Sequence, residues 1–256
     1  IPYELNSRSW ESFYSRSTRN LNLPYIYLCI KSIVEKCGKS FHVVLIDDNS
    51  FKTLLPDWNV DLSHVGSPNK EKIRYCGLVK LLYKYGGMLV PKSMITVKNL
   101  MPLYVEGISY DKPFFVERVL NNMSFTSNHN FIGCKKECPT MKEFVHFLEA
   151  SNSLDYTDES NYLNLFDAWI YSNLNKFNKI CGSKVGVKDT EKNPVMLEDL
   201  FSEKTVKLPC YVHGIVIPED ELLKRTAYNW FCYLSENEII RGNTFISKYF
   251  LMAQHM

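Results

Sequence analysis

Apolar residues in PYIYLCIKSIVEKCG, Pro24 to Gly38, recur at helical spacing, and Pro near the start with Gly at the end marks a helix. FHVVLIDD, Phe41 to Asp48, is a near-continuous apolar run rich in β-branched residues. It predicts a strand covered on both faces, as in a parallel sheet. KEKIRYCGLVKLLYKYGG, Lys70 to Gly87, returns to helical period, with Ile73, Leu78, Leu81, Leu82 and Tyr85 on one stripe. Gly86 and Gly87 end it, because glycine enters the left-handed region freely. MLV after the glycines predicts a short strand, and KPFFVERVL and HNFIGC predict two more. Pro139 opens an amphipathic helix in PTMKEFVHFLEA. Asp158 to Phe177 predicts another, whose aromatics at 162, 166 and 169 form a packing stripe.

The last third is less regular. Tyr211 to Ile217 predicts a strand, and Pro218 then opens a short helix with an acidic start. Ser235 and Glu238 have capping-box spacing and precede a closing apolar helix. Helix–strand alternation of this kind indicates an α/β domain over residues 1–217, with a helical C-terminal elaboration over 218–256. With 256 residues the chain can bury a substantial core.

A net charge of +2 supplies no electrostatic footprint for nucleic acid, which is not expected as a partner. Eight cysteines are scattered, several within apolar runs such as Cys29. The pair Cys134 and Cys138 has no second ligand pair, so reduced structural thiols and a reducing compartment are expected rather than zinc. Asn122 in NMS would be a glycosylation acceptor in a secreted chain. No apolar run approaches the roughly 18 residues of a membrane helix. IPYEL at the start reads as the tail of a strand already under way, which leaves open an upstream segment with an anchor or targeting signal.

Ligands of open α/β sheets bind beyond the carboxyl ends of strands. At one such end stand Asp47 and Asp48, which either accept hydrogen bonds from a ribose or base, or help bind a metal, or cap a turn with Asn49 and Ser50. At the other stands GGMLVPKS. Here KIRYCGLVKLLYKYGGMLV resembles the sugar-transferring enzymes of the GT-A fold, notably the Och1-like mannosyltransferases and capsular polysaccharide transferases. In those, a Tyr-Gly-Gly helix end runs into a strand ending Asp-x-Asp. NFIGCKKECPTMKEFVHFL resembles their Asn-x-Phe strand and Pro-started helix, so the likeness covers roughly residues 20 to 150. The opening IPYELNSRSW and IPEDELLKRTAYNWF resemble uncharacterised glycosyltransferase-like proteins of large DNA viruses of algae and amoebae.

The resemblance implies a GT-A-like, mainly parallel sheet flanked by helices, and a nucleotide-sugar donor with a glycan or protein acceptor. It implies donor contacts at Asp47, Asp48, Arg74, Tyr85, Gly86, Gly87 and Lys92. The chain departs from the family where the metal carboxylates fall on Pro91 and Ser93, so no metal or other cofactor is expected. The family's helix acid falls near Tyr75 and its arginine near Leu78, with Arg74 one turn away. A metal neutralises the departing diphosphate, and losing it without a substitute costs several kcal/mol, on the order of a thousandfold in rate. Lys92 is one substitute, meeting phosphate as a point charge as in metal-independent transferases of this fold; the other reading is a solvated loop lysine. His213 in YVHG is either a late ligand-binding histidine or a structural one. Two functions follow: a metal-independent glycosyltransferase, or a non-catalytic descendant serving as a minor capsid or other virion component with protein partners.

Overall fold

The computed structural model describes residues 1–2, 23–118, 126–153 and 159–255, with the side chains of 159–164 and of 255 excluded. Asn122, the side chain of Tyr162 and most of the opening segment therefore lie outside the described structure. The chain runs α1 (Pro24–Cys37), α2 (Ser50–Leu54), α3 (Asn69–Tyr85), β1 (Gly87–Met88), β2 (Met94–Thr96) and α4 (Met101–Gly107). Then follow β3 (Phe114–Arg118), β4 (Thr126–Cys134), α5 (Pro139–Ser153), α6 (Glu159–Ser172) and β5 (Asn178–Ile180). The last elements are α7 (Leu197–Leu200), β6 (Gly214–Val216), α8 (Glu219–Lys224), α9 (Glu236–Arg241) and α10 (Phe245–His255).

The fold is mixed α/β. Its main sheet has the order β1-β4-β3-β5, and β2 pairs with β6 in a second ladder. Antiparallel pairing joins β1 to β4, β4 to β3 and β2 to β6, while β3 and β5 run parallel. The expectation of a mainly parallel sheet is thus corrected: among the described residues the sheet is mixed and mainly antiparallel.

The reason lies in Phe41–Asp48, which among the described residues forms no strand of its own. Among the described residues Ile46 makes one parallel bridge, to Pro2, and donates to the Ile1 carbonyl at 2.9 Å. Val44 and Leu45 are 38% and 41% exposed, so the apolar run is not covered on both faces as its composition suggested. The parallel βαβ unit expected across residues 41–95 does not form among the described residues, because β1 turns back onto β4 instead.

Side-chain alternation along β3 and β4 divides the core. Phe115 and Ile132 face one way, into a cluster with Leu78, Leu81 and Leu82 of α3, Phe144 and Leu148 of α5, and Phe166 of α6. Phe114, Val116 and Phe131 face the other way, with Met94, Leu100 and Leu103. Both faces of the sheet are therefore packed. A third cluster joins Tyr25, Ile26 and Cys29 of α1 to Ile95, Ile215 and the C-terminal residues Leu222, Phe231, Ile239 and Phe250. The C-terminal elaboration closes its core on α1 and the β2–β6 ladder.

Smaller differences are local. Tyr85 leaves the buried stripe of α3 and is 53% exposed, its hydroxyl donating to the Leu54 carbonyl. The strand after the glycines shortens to Gly87–Met88, and the one before Pro218 to Gly214–Val216. The helix expected to Phe177 stops at Ser172, ahead of a short 3-10 turn. All eight cysteines are free.

Candidate functional site

The site is assembled where the chain leaves β1. Gly86 and Gly87 take φ of +72° and +94°, turning α3 into β1. Leu89 continues the register by donating to the Ile132 carbonyl at 2.8 Å. The chain then crosses to the second ladder. The Ser93 hydroxyl donates to the Ile217 carbonyl at 2.8 Å, and the Ile217 amide donates to the Ser93 carbonyl at 3.1 Å. With Met94 paired to Val216, this reciprocal tie fixes residues 91–93 against 217–219.

A cleft of about 550 Å³ opens at this junction, within the range of small-ligand sites. Lys72, Arg74 and Tyr75 of α3 line it, together with Pro91, Lys92 and Ser93. Arg118 and Asn128–Asn130 contribute from the facing ends of β3 and β4, and Glu219, Asp220 and Glu221 from the start of α8. Phe166 reaches it from α6, its ring edge-on to Tyr75 at 5.3 Å and to His129 at 4.0 Å between centroids. His129 Nε2 lies 3.3 Å from the Asp167 carboxylate.

Of the residues expected from sequence, Arg74 and Lys92 line the cleft. Asp48 stands behind Arg74 and takes a two-pronged hydrogen bond from it, Nε to Oδ1 at 2.7 Å and Nη2 to Oδ2 at 2.9 Å. Lys70, one turn earlier on α3, adds a contact at 3.2 Å. The Arg74 hydrogen bond is the main cause holding the Asp48 carboxyl below the usual range, against burial. Asp48 thus positions a cleft cation and is not itself a cleft residue. Asp47 makes the local turn: Ser50 N and Oγ both donate to its Oδ1, at 2.8 and 2.6 Å. Those bonds hold its carboxyl low as well. Of the alternatives open for Asp47, the structure displays the cap.

Tyr85, Gly86 and Gly87 stand at the far end of α3 and are not among the lining residues. His213 also lies outside the cleft: its Nδ1 is 2.8 Å from the Asn99 carbonyl, and burial lowers its pKa. That is the structural role.

The residues at the family's metal positions do not fit a divalent cation. Pro91 has no side-chain donor atom, the buried Ser93 hydroxyl is committed to Ile217, and between them Lys92 brings a positive charge. Among the described residues no group of three or more His, Cys, Asp or Glu is arranged to hold an ion. Lys92 meets Glu219 at 3.1 Å.

Sequence reasoning did not single out Lys72, Arg118, Asn128, His129, Asn130 or Glu219. Two signals were present: the polar run Asn128-His129-Asn130 breaking into an apolar strand, and three successive acids after Pro218. Neither indicates a shared cleft until β4 and β6 are placed.

The chain matches no protein-family model, no curated protein and no solved structure.

Proposed function

We propose that this cleft is the donor site of a glycosyltransferase-like protein of GT-A-like architecture, receiving a nucleoside diphosphate sugar through side-chain cations in place of a metal. The observation that carries the reading is the position of the cleft. It opens at Lys92, where the segment leaving the Gly86–Gly87 turn ends, the place in which the family resemblance puts the donor diphosphate. The order α3, glycine turn, strand, β3–β4 and Pro-started α5 follows the family's order along the chain.

The chemistry asked of the chain is limited. Transfer breaks the bond between the sugar's anomeric carbon and the diphosphate oxygen, and the electron pair leaves with the diphosphate. Among the described residues Lys92, Lys72, Arg74 and Arg118 are the cleft's cations, and fixed donors aimed at developing charge are the strongest means a protein has of lowering such a barrier. Tyr75 offers ring surface on the α3 side, suited to a base or a sugar face, with the buried Phe166 edge-on behind it.

A second reading rests on one observation. The two polar side chains among residues 91–93 are already engaged, Ser93 by Ile217 and Lys92 by Glu219. In that reading the fold is a non-catalytic descendant of a transferase, kept for protein contacts as in a virion component.

Thermal unfolding with UDP, GDP and their sugars, in EDTA and in manganese, separates the two. Ligand at a hundred times its Kd stabilises by about 2.7 kcal/mol, on the order of 5–10 °C for a chain of this size. A shift of that kind in EDTA supports the donor site. No shift with any nucleotide in either condition supports the non-catalytic module.

A further inference from the structure

Among the described residues the formal charges lining the cleft balance: Lys72, Arg74, Lys92 and Arg118 face Glu71, Glu219, Asp220 and Glu221. A diphosphate therefore gains little from the overall field, and its affinity depends on which cations are available to it at short range. Lys92 is the cation placed at the end of the β1 segment, and it is in contact with a carboxylate of the protein itself.

That contact is built into the backbone. The Ser93–Ile217 tie and the Met94–Val216 pairing set the two segments side by side, Pro218 fixes the backbone entering α8, and Glu219 is the first residue of that helix. The side chains of Lys92 and Glu219 are 25% and 19% exposed. The pair is thus partly withdrawn from water, where attraction between unit charges exceeds that of a surface pair. Glu219 also acts through its charge on the core thiol of Cys232. Burial chiefly, and then its charge, push the Cys232 thiol up to about 11.

We infer that Glu219 is a tethered competitor for Lys92, an autoinhibitory carboxylate that a ligand's phosphate must displace before Lys92 can bind it. The inference rests on the donor-site reading and deepens it: the Lys92–Glu219 pair lowers the anion affinity of the unliganded cleft. A phosphate entering beside an undisplaced Glu219 would meet a like charge at close range, which opposes binding directly.

Calorimetric titration of inorganic pyrophosphate, UDP and GDP into five proteins tests this: wild type, Glu219→Gln, Asp220→Asn, Lys92→Met and the double variant Lys92→Met/Glu219→Gln. Glu219→Gln is expected to bind about tenfold more tightly, with a similar gain for pyrophosphate and for the nucleotides, since the effect acts on phosphate. Asp220→Asn removes the same charge from the same wall and is expected to gain clearly less. The double variant is expected to gain clearly less over Lys92→Met than Glu219→Gln gains over wild type, because only the like-charge repulsion is left to relieve. If wild type binds and Glu219→Gln binds equally or more weakly, the competitor is overturned while the donor site stands. An equal gain from Asp220→Asn, or a gain that survives in full in the double variant, also overturns it in favour of a general charge effect. If neither wild type nor Glu219→Gln binds any of the three ligands, the donor site falls and the competitor with it.

Discussion

Ser93 stands where the family resemblance calls for a metal carboxylate, and its surroundings show why restoring that acid is costly. It is buried, and its hydroxyl donates to a carbonyl oxygen. An aspartate there sets an acceptor against an acceptor. Pro91→Asp with Ser93→Asp is therefore expected to lower stability by about 2–4 kcal/mol in urea unfolding, from the lost hydrogen bond and a buried charge; unchanged stability would contradict the Ser93–Ile217 tie. Asp48 gives a pH-dependent case. Its pKa is depressed in the folded chain, so its contribution is present above the unfolded value of about 3.9 and is lost as pH falls through the folded value. Asp48→Asn is expected to cost about 1–2 kcal/mol at pH 7, between an exposed and a buried pair, and clearly less at pH 3. Equal cost at both would contradict it. The two turn glycines differ too. A Cβ on Gly86 would lie 2.6 Å from the Lys136 amide nitrogen, whereas one on Gly87 meets nothing within 4 Å. Gly86→Ala is expected to destabilise by about 2–3 kcal/mol and Gly87→Ala by about 1, the latter from positive φ alone. A denaturation series that ranks them the other way would refute the turn geometry.

At the scale of elements, the sequence was most legible where local chemistry decides the outcome. The helices α1, α3 and α5 follow their apolar period and proline or glycine ends. Ser235 caps α9, accepting from the Glu238 amide at 3.4 Å while Glu238 reaches back to the Ser235 amide at 2.8 Å. Ser235→Ala is expected to cost about 1 kcal/mol in thermal unfolding; a cost near zero would show that tertiary contacts alone hold α9. Phe41–Asp48 was misread because an apolar, β-branched run states a preference for burial without naming the neighbour that supplies it. Here one bridge to Pro2 is what the described chain offers. Parallel or antiparallel pairing is likewise not written in β1, since Met88 would alternate in the same way beside either partner. Its return to β4 is decided by the packing of α3 and α5 on Phe115 and Ile132.

Over the whole molecule, the cleft gathers residues from the start of α3, the end of the β1 segment, the β3–β4 ends and the approach to α8. Arg74 and Lys92 could be picked from the chain because the resemblance pointed to their neighbourhood. Glu219 could not, because it reaches Lys92 only through the β2–β6 ladder, 127 positions away in sequence. Donor binding depends on that cleft accepting a diphosphate by cationic side chains. The most direct measurement is calorimetric titration of UDP and GDP into wild type and Lys92→Met, each in EDTA and in manganese. Saturable binding by wild type that is equal in the two conditions, and weakened about tenfold or more by Lys92→Met, is the predicted result. Binding that requires manganese, or no binding of either nucleotide, would contradict it.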